Sequence, residues 1–336
     1  MKVFITGAAG FLGRYVCRIA EQRGHSVCAL VRSEAAAAKL RSFVPSADIR
    51  IGDLRNRASL LDALSGADIV IHLAADKGGS LSAQIAGNVV LTETLLDRMK
   101  AAGVSRMVHV STFSVYDFGA IPSSGKLDEA APLEPAPFER QAYAQSKYFQ
   151  EQLVREAIAD GLKAVILRPG AVWGRGEFWD GCRARILGPV WVTSGNAIAN
   201  KFVYVENCAE AIVLAAELPQ LDGGVFNLVD SDTPSAGRYA SALRERGIAV
   251  PFALPVPYAV LRAAAVLLGA INRRWFDDRL RLPQLLVTKE LDSRLRPMRY
   301  PNDRARAGLG WTPRYGFDEA MMRSLDGSDG VRSRGQ

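Results

Sequence analysis

Residues 2–13, KVFITGAAGFLG, decide how this chain folds. Val3, Phe4, Ile5 and Thr6 are β-branched or aromatic and read as a buried strand. They run into Gly7-Ala8-Ala9-Gly10-Phe11-Leu12-Gly13 and then a helical pattern with apolar Phe11, Leu12, Val16 and Ile19. Gly24 stops that helix, and Val27–Val31 reads as a second strand. Strand, glycine turn, helix, strand is the mononucleotide-binding βαβ unit. Gly7 permits the tight turn, Gly10 lets backbone amides approach a pyrophosphate, and Gly13 lets the helix pack close to the sheet. An anion then sits at the helix N-terminus, favoured by unpaired N–H groups and the positive end of the dipole. The triplet alone is weak evidence; the elements flanking it make it specific.

The same alternation continues. Ser33–Phe43 is an Ala-rich helix, Ile49–Ile51 a third strand ending at Gly52-Asp53-Leu54, and Ser59–Leu64 a helix. Ile69–Ala75 reads as an apolar fourth strand, Asn88–Ala102 as a helix, and Arg106–Ser111 as a fifth strand. A polar, Pro-rich loop (Asp117–Gln141) precedes a helix from Gln141 to about Asp160 and a sixth strand, Lys163–Leu167. This spacing predicts a parallel, doubly wound α/β sheet, and unbroken apolar strands fit burial on both faces. Beyond Arg168 the pattern loosens. Phe202–Val205 and Val225–Val229 read as strands around a helix Asn207–Glu217, with helices at Tyr258–Ile271 and Pro301–Leu309. The expected organisation is a nucleotide-binding domain over 1–170 and a smaller α+β substrate lobe over 171–325. Within that lobe about 201–230 returns to the first core, and 326–336 is a disordered tail.

With 336 residues, 49% hydrophobic and 23% charged, the composition is ordinarily globular. The net charge of +7 is spread out, without a basic stripe interleaved with aromatics, which argues against a nucleic-acid partner. Cys17, Cys28, Cys182 and Cys208 form no CxxC pair, so neither a metal site nor a disulfide framework is expected. The thiols and a strand at the N-terminus lead to the expectation of a cytoplasmic chain without a signal peptide. Val256–Ile271 is the one membrane-like stretch, but Arg262 interrupts it and it is short for a span, so a core or surface-lying helix is expected.

Tyr143-Ala144-Gln145-Ser146-Lys147 completes a set of motifs. With TGAAGFLG (Thr6–Gly13), GDL (Gly52–Leu54), HLAA (His72–Ala75), HVSTFSVY (His109–Tyr116), LRPGAVWG (Leu167–Gly174), FVYVENCAEA (Phe202–Ala211) and LGWTP (Leu309–Pro313), the chain resembles the extended short-chain dehydrogenase/reductases. That group holds nucleotide-sugar epimerases, dihydroflavonol-type reductases and 3β-hydroxysteroid dehydrogenases. The motifs occur in the family's order over nearly the whole chain. The resemblance implies a Rossmann fold and a nicotinamide cofactor. It implies cofactor contacts from Gly7, Gly10, Phe11, Leu12, Gly13, Asp53, Leu54, Leu73, Ala74, Ala75, Asn88, Lys147 and Pro169.

Tyr143 and Lys147, four apart on a helix, lie one turn apart on one face. A tyrosine phenol titrates near about 10, too high for a base at neutral pH, and a nearby ammonium favours the phenolate. In the family this tyrosine exchanges a proton with the substrate oxygen, and the lysine also holds the nicotinamide ribose. The third member implied is Thr112, which would orient the substrate carbonyl, with Ser111 as the alternative one register away. Phe113 and Ser114 stand where sugar-dehydrating relatives carry an acidic pair, which disfavours dehydration. Asp53 would accept from the adenine amino group or be a plain surface carboxylate. Asn88 would support the site or cap its helix. His72 and His109 read as satisfied core histidines.

Val31 and Arg32 end the second strand, where NAD-binding members place a carboxylate for the ribose 2′-OH. Arg32 suits a 2′-phosphate, or stacks on adenine, so NADP(H) is favoured and NAD(H) possible. The apolar Leu254–Trp275 segment followed by basic residues resembles 3β-hydroxysteroid dehydrogenase-like proteins and favours ketone or secondary-alcohol chemistry on a hydrophobic or ring-shaped substrate. Against it, Leu127–Pro137 resembles sugar-nucleotide enzymes, and Arg168, Arg175, Arg183 and Arg185 would meet a diphosphate or be surface charge. The reading is an NADP(H)-dependent oxidoreductase. The alternatives are a nucleotide-sugar epimerase with a retained cofactor, and an NADP-sensing binding protein, which the intact Tyr/Lys pair disfavours. A homodimer through Asn88–Ala102 and Gln141–Asp160 is the quaternary expectation.

Overall fold

The computed structural model describes residues 1–178, 185–187, 190–193, 201–250, 252–277, 279–280 and 282–326. Cys182, Arg183 and the expected disordered tail from 327 onward lie outside the described residues, as does the side chain of Arg185.

In chain order the elements are β1 (Lys2–Thr6), α1 (Phe11–Gln22), β2 (Ser26–Val31), α2 (Glu34–Arg41), β3 (Asp48–Ile51), α3 (Arg57–Leu64), β4 (Ile69–His72), α4 (Leu81–Gln84) and, after a π turn over Ile85–Val90, α5 (Leu91–Ala101). Then follow β5 (Arg106–Val110), α6 (Ala142–Ala159), β6 (Lys163–Pro169), β7 (Ala171–Trp173), β8 (Arg185–Leu187), β9 (Val190–Thr193) and β10 (Phe202–Tyr204). The chain ends with α7 (Val205–Glu217), β11 (Val225–Leu228), α8 (Ala236–Arg244), β12 (Phe252–Pro255), α9 (Tyr258–Phe276), α10 (Thr288–Leu295), α11 (Asp303–Leu309) and α12 (Phe317–Asp326).

Seven parallel strands form the main sheet in the order β11-β6-β5-β4-β1-β2-β3. The direction of winding reverses between β1 and β4, and the loops leaving those two strands diverge to open a crevice at the sheet's C-terminal edge. Both faces are covered, as the unbroken apolar strands require. One core joins Val3, Ile5, Ile71 and Val108 to α1, α7 and α12, and the other joins Phe4, Val70 and Ile166 to α3, α5 and α6. The doubly wound parallel sheet matches the sequence pattern. β10 departs from it: Phe202–Tyr204 pairs with β7 in a two-stranded parallel sheet, outside the main one. β8, β9 and β12 make a separate mixed sheet, against which α9 and α10 enclose Val192, Tyr258, Leu291 and Leu295.

Two boundaries correct the sequence reading. The fourth strand stops at His72, because the chain bends so that the Ala74 amide donates to Thr6 Oγ1 at 3.3 Å instead of continuing the ladder. The helix expected to start at Asn88 starts seven residues earlier, at Leu81, with Ser80 Oγ accepting from the Ala83 amide. Asn88 is therefore inside the helical stretch and is no cap.

Candidate active site

The glycine turn shows its physical reasons locally. Gly7 has φ +71°, and a Cβ there would meet Ala74 N at 2.8 Å. A Cβ on Gly13 would meet Gly7 O at 2.1 Å, so the close contact it permits is between α1 and the turn itself. Gly10 is different: a Cβ would meet Gly7 O alone, at 3.1 Å, and otherwise open space. Gly10 also caps α1 without a side-chain hydrogen bond, and the first turn holds no acidic residue. The helix N-terminus thus presents its unpaired N–H groups to a cleft, with no carboxylate in its own first turn to compete for them.

That cleft, about 830 Å³, lies over the crevice. Gly7, Gly10, Phe11, Leu12 and Gly13 form its floor, and Leu73, Ala74 and Ala75 the wall after β4. Arg32, Asp53 and Leu54 line one end, and Thr112, Tyr143, Lys147 and Pro169 line the centre. Asn88 does not line it. Its carboxamide instead accepts from the Asp76 amide at 2.6 Å and donates to Asp76 O and to Ser146 Oγ, at 3.0 and 2.8 Å. Asn88 so ties the wall after β4 to the helix that carries Tyr143 and Lys147.

Burial fixes Lys147. The residue is 2% exposed, and its ammonium donates to Val110 O at 2.9 Å and to Gln150 Oε1. Below it runs a buried chain of polar groups. Gln150 Nε2 donates to Thr92 Oγ1 at 2.8 Å, and Thr92 donates to Asn88 O at 2.6 Å. That leaves Thr92 an acceptor for His72 Nε2 at 2.8 Å, and makes His72 Nδ1 the acceptor for Thr6 Oγ1 at 2.7 Å. Burial first, then the Lys147 charge, pushes His72 down to about 3, so the ring is neutral. His72 is the satisfied core histidine expected. His109 is not: among the described residues neither ring nitrogen has a hydrogen-bond partner, and its ring packs 5.6 Å from that of His72. Burial drives its pKa well down, which keeps the unpartnered ring uncharged.

Desolvation lowers Lys147 from its ordinary 10.5 to about 7, against a raising pull from Glu151. Between those values the unfolded chain binds a proton here that the folded chain does not. Stability from this group is therefore full above pH 10.5 and is lost as pH falls toward 7. The unfolding free energy of the wild type, relative to Lys147→Met, should rise by up to about 1.4 kcal/mol per pH unit across that window. Denaturant melts at its two ends, without added cofactor, test this. A flat difference would show that the folded lysine stays charged.

Thr112 stands after β5 with extended backbone, its Oγ1 accepting from the Ser114 amide at 3.3 Å and donating weakly to Ser114 Oγ at 3.4 Å. Ser111, the alternative, donates to Glu151 Oε2 at 2.5 Å and is buried. Glu151 also holds Arg168, at 2.5 Å, with both side chains at most 1% exposed. Arg168 is thus a buried ion-pair residue, which corrects its reading as a diphosphate contact or surface charge. Arg175 does not line the cleft.

Other lining residues carry no motif. Ser33 and Lys39 join Arg32 at one end, and Arg140, Lys201, Glu290, Ser293 and Arg294 line the other. Glu290 Oε1 accepts from Arg140 Nε at 3.1 Å and from the Gln141 amide at 3.3 Å, so α10 grips the start of α6. Lys39 stands in the last turn of the Ser-capped, Ala-rich α2, and nothing local flags it or the residues of α10.

Fold and cleft together define a dinucleotide-binding α/β enzyme. The profile of the NAD dependent epimerase/dehydratase family matches residues 3–228, and the chain belongs to that family, within the extended short-chain dehydrogenase/reductases. It is therefore an enzyme of an NAD(P)-dependent class. It is 32% identical over 330 residues to a 4-hydroxy-2-methyl-3-oxo-4-farnesyl-3,4-dihydroquinoline-1-oxide ketoreductase of Stigmatella aurantiaca, covering 96% of this chain and 95% of that one. It is 30% identical over 341 residues to a 2-alkyl-3-oxoalkanoate reductase of Stenotrophomonas maltophilia, covering 96% and 98%. Among solved structures, UDP-glucuronic acid 4-epimerase of Bacillus cereus in complex with NAD shares the fold, with a TM-score of 0.71 at 20% identity over 97% of this chain and 98% of that one.

Proposed function

We propose that this protein is an NADP(H)-dependent ketoreductase interconverting a ketone and a secondary alcohol on a substrate with an extended apolar part. The observation that carries this is the single cleft in which the glycine turn, Arg32 and the Thr112, Tyr143, Lys147 set meet. Two relatives at 30% identity or more, both full-length matches, reduce keto groups by name, one on a farnesylated ring and one on an alkyl chain.

The residues present fit the cofactor: an open glycine turn at an uncapped helix end for the pyrophosphate, and Arg32 with Lys39 for a 2′-phosphate. When bound, the nicotinamide supplies or takes the hydride. Tyr143 gives a proton to the carbonyl oxygen in reduction and takes it back in oxidation. Lys147 lies one turn further along α6, near its own titration point, where its charge favours the phenolate. Thr112 turns its hydroxyl from its 3.4 Å contact with Ser114 to the carbonyl oxygen and holds it toward Tyr143. Phe113, Val172 and Phe202 give the substrate end apolar surface.

The first test is to denature the purified protein and count released nicotinamide. An empty protein that binds NADPH ahead of NADH and then consumes NADPH with 3-oxo acyl or ring ketones supports the reading. Near-stoichiometric retained NAD favours the epimerase and discredits the role given to Arg32. Arg32→Asp should weaken NADPH by about tenfold to a hundredfold, the value of a charge-assisted contact, and NADH far less. Equal losses would remove the NADP assignment.

A further inference from the structure

Helix α9, YAVLRAAAVLLGAINRRWF, is apolar on nearly every side, yet only one side is covered. Tyr258 and Ala265 turn inward, toward Leu285, Leu291 and Leu295, and Asn272 is buried against the Leu280 backbone, with which it exchanges two hydrogen bonds of 3.1 Å. On the opposite side Val260, Leu267, Ile271 and Trp275 are 57, 61, 38 and 75% exposed. At 100° per residue these four fall within a sector of about 80°, with Ala263, Ala264 and Ala270 filling the gaps. Leu254 before the helix and Phe276 and Leu280 at its far end extend the apolar surface. Scattered exposed apolar residues are normal, but a continuous row along a whole helix marks an interaction face.

The charges say what kind. The helix contains no acidic residue; Arg262 lies on the covered side, 3.7 Å from Asp292, while Arg273 and Arg274 occupy the last turn and Arg279 follows after Asp277. Arg274 lies 5.6 Å from the centroid of Trp275, an aromatic ring beside a cation at the end of an apolar stripe. A second copy of this face would set the arginines at the end of the helix against their own like charges. An anionic bilayer offers hydrocarbon for the stripe and phosphate for the arginines. Among the described residues no helix is long and apolar enough to cross a membrane, so the helix lies on the surface.

We propose that α9 seats this enzyme in the interface of an anionic lipid bilayer. α10, which packs on α9, also contributes Ser293 and Arg294 to the cleft, so the seat places the substrate end beside the lipid from which an amphiphilic ketone would come. The seat itself is read without cofactor or substrate, so it can fail while the ketoreductase reading stands, and the reverse.

Flotation of the full chain with vesicles tests it. The wild type should bind vesicles containing one-third phosphatidylglycerol more tightly than pure phosphatidylcholine vesicles, and less tightly as salt is raised. Its tryptophan emission should shift to the blue on binding, and Trp275→Phe should abolish that shift. Leu267→Glu with Ile271→Glu should weaken binding by at least about tenfold with an unchanged melting temperature, since both sites are exposed. Arg273→Glu with Arg274→Glu should erase the preference for phosphatidylglycerol. Absence of wild-type binding to either vesicle, or binding indifferent to the Leu267/Ile271 pair, would overturn the proposal. So would a dimer in sedimentation velocity that this pair dissociates while vesicles bind nothing: the occupant would then be a second copy.

Discussion

Tyr143→Phe should lower kcat by about a thousandfold, the ordinary worth of a positioned general acid, while the Kd for NADPH stays within about twofold. The asymmetry follows from where the hydroxyl stands. Tyr143 lines the cleft, whereas on the proposed reading the cofactor would be held by the glycine turn, Arg32 and the wall after β4. The phenol oxygen is the single atom removed, and the helix that carries it is fixed independently, by Glu290 on the Gln141 amide and by Asn88 on Ser146. Single-turnover reduction of a ketone found by the screen above, with NADPH titrated separately, measures both quantities. The neighbouring hydroxyls of the motif are engaged elsewhere: Ser111 donates to Glu151 and Thr112 to Ser114. Turnover within about tenfold of wild type would remove Tyr143 as the acid.

The glycine turn and the sheet around it are legible in the sequence because their determinants are local. Gly7, Gly10 and Gly13 act within one turn of chain, and strand–helix alternation carries the sheet order with it. Where the reading failed, the cause was a distant partner. The sequence leaves Asn88 open between supporting the site and capping a helix, because capping is the commonest short-range use of asparagine at a helix start. Its real partners, Asp76 and Ser146, lie 12 and 58 residues away. The composition of β5 and β4 announces two buried histidines, but not that Thr6, Thr92 and Gln150 gather around His72 and leave His109 without a partner. Glu290 meets Arg140 across 150 residues, and no periodicity encodes that meeting. The Arg32 end of the cleft shows the intermediate case: Arg32 is read from its strand, while Lys39 becomes visible only once α2 places it in the same lining.

Arg168 is where a motif and its surroundings point in different directions, and substitution separates them. Arg168→Met should destabilise the fold by about 3–5 kcal/mol, the cost of leaving one partner of a buried pair unpaired. Glu151 is fully buried and then keeps the Ser111 hydroxyl at 2.5 Å, Arg155, itself 36% exposed, at 3.0 Å, and the charge interaction with Lys147. Its carboxyl is now held below the usual range against strong desolvation, by the Arg168 hydrogen bond and charge first and Ser111 and Arg155 after them. Without Arg168 the desolvation wins, and the carboxyl takes up a proton or the strand end rearranges. The guanidinium also sits 4.5 Å over the Tyr116 ring, whose hydroxyl donates to Asn227 Oδ1 at 2.7 Å, so β5, β6 and β11 loosen together. Adding Glu151→Leu to Arg168→Met should return much of the loss, because two apolar side chains are cheaper to bury than one stranded charge. A diphosphate-binding arginine would behave oppositely, losing ligand affinity at unchanged melting temperature and gaining nothing from the second substitution. Thermal and denaturant unfolding of the two variants, set beside NADPH titration, distinguishes these outcomes. A loss under about 1 kcal/mol for Arg168→Met would mean that the ion pair does not organise the strand ends beneath Thr112.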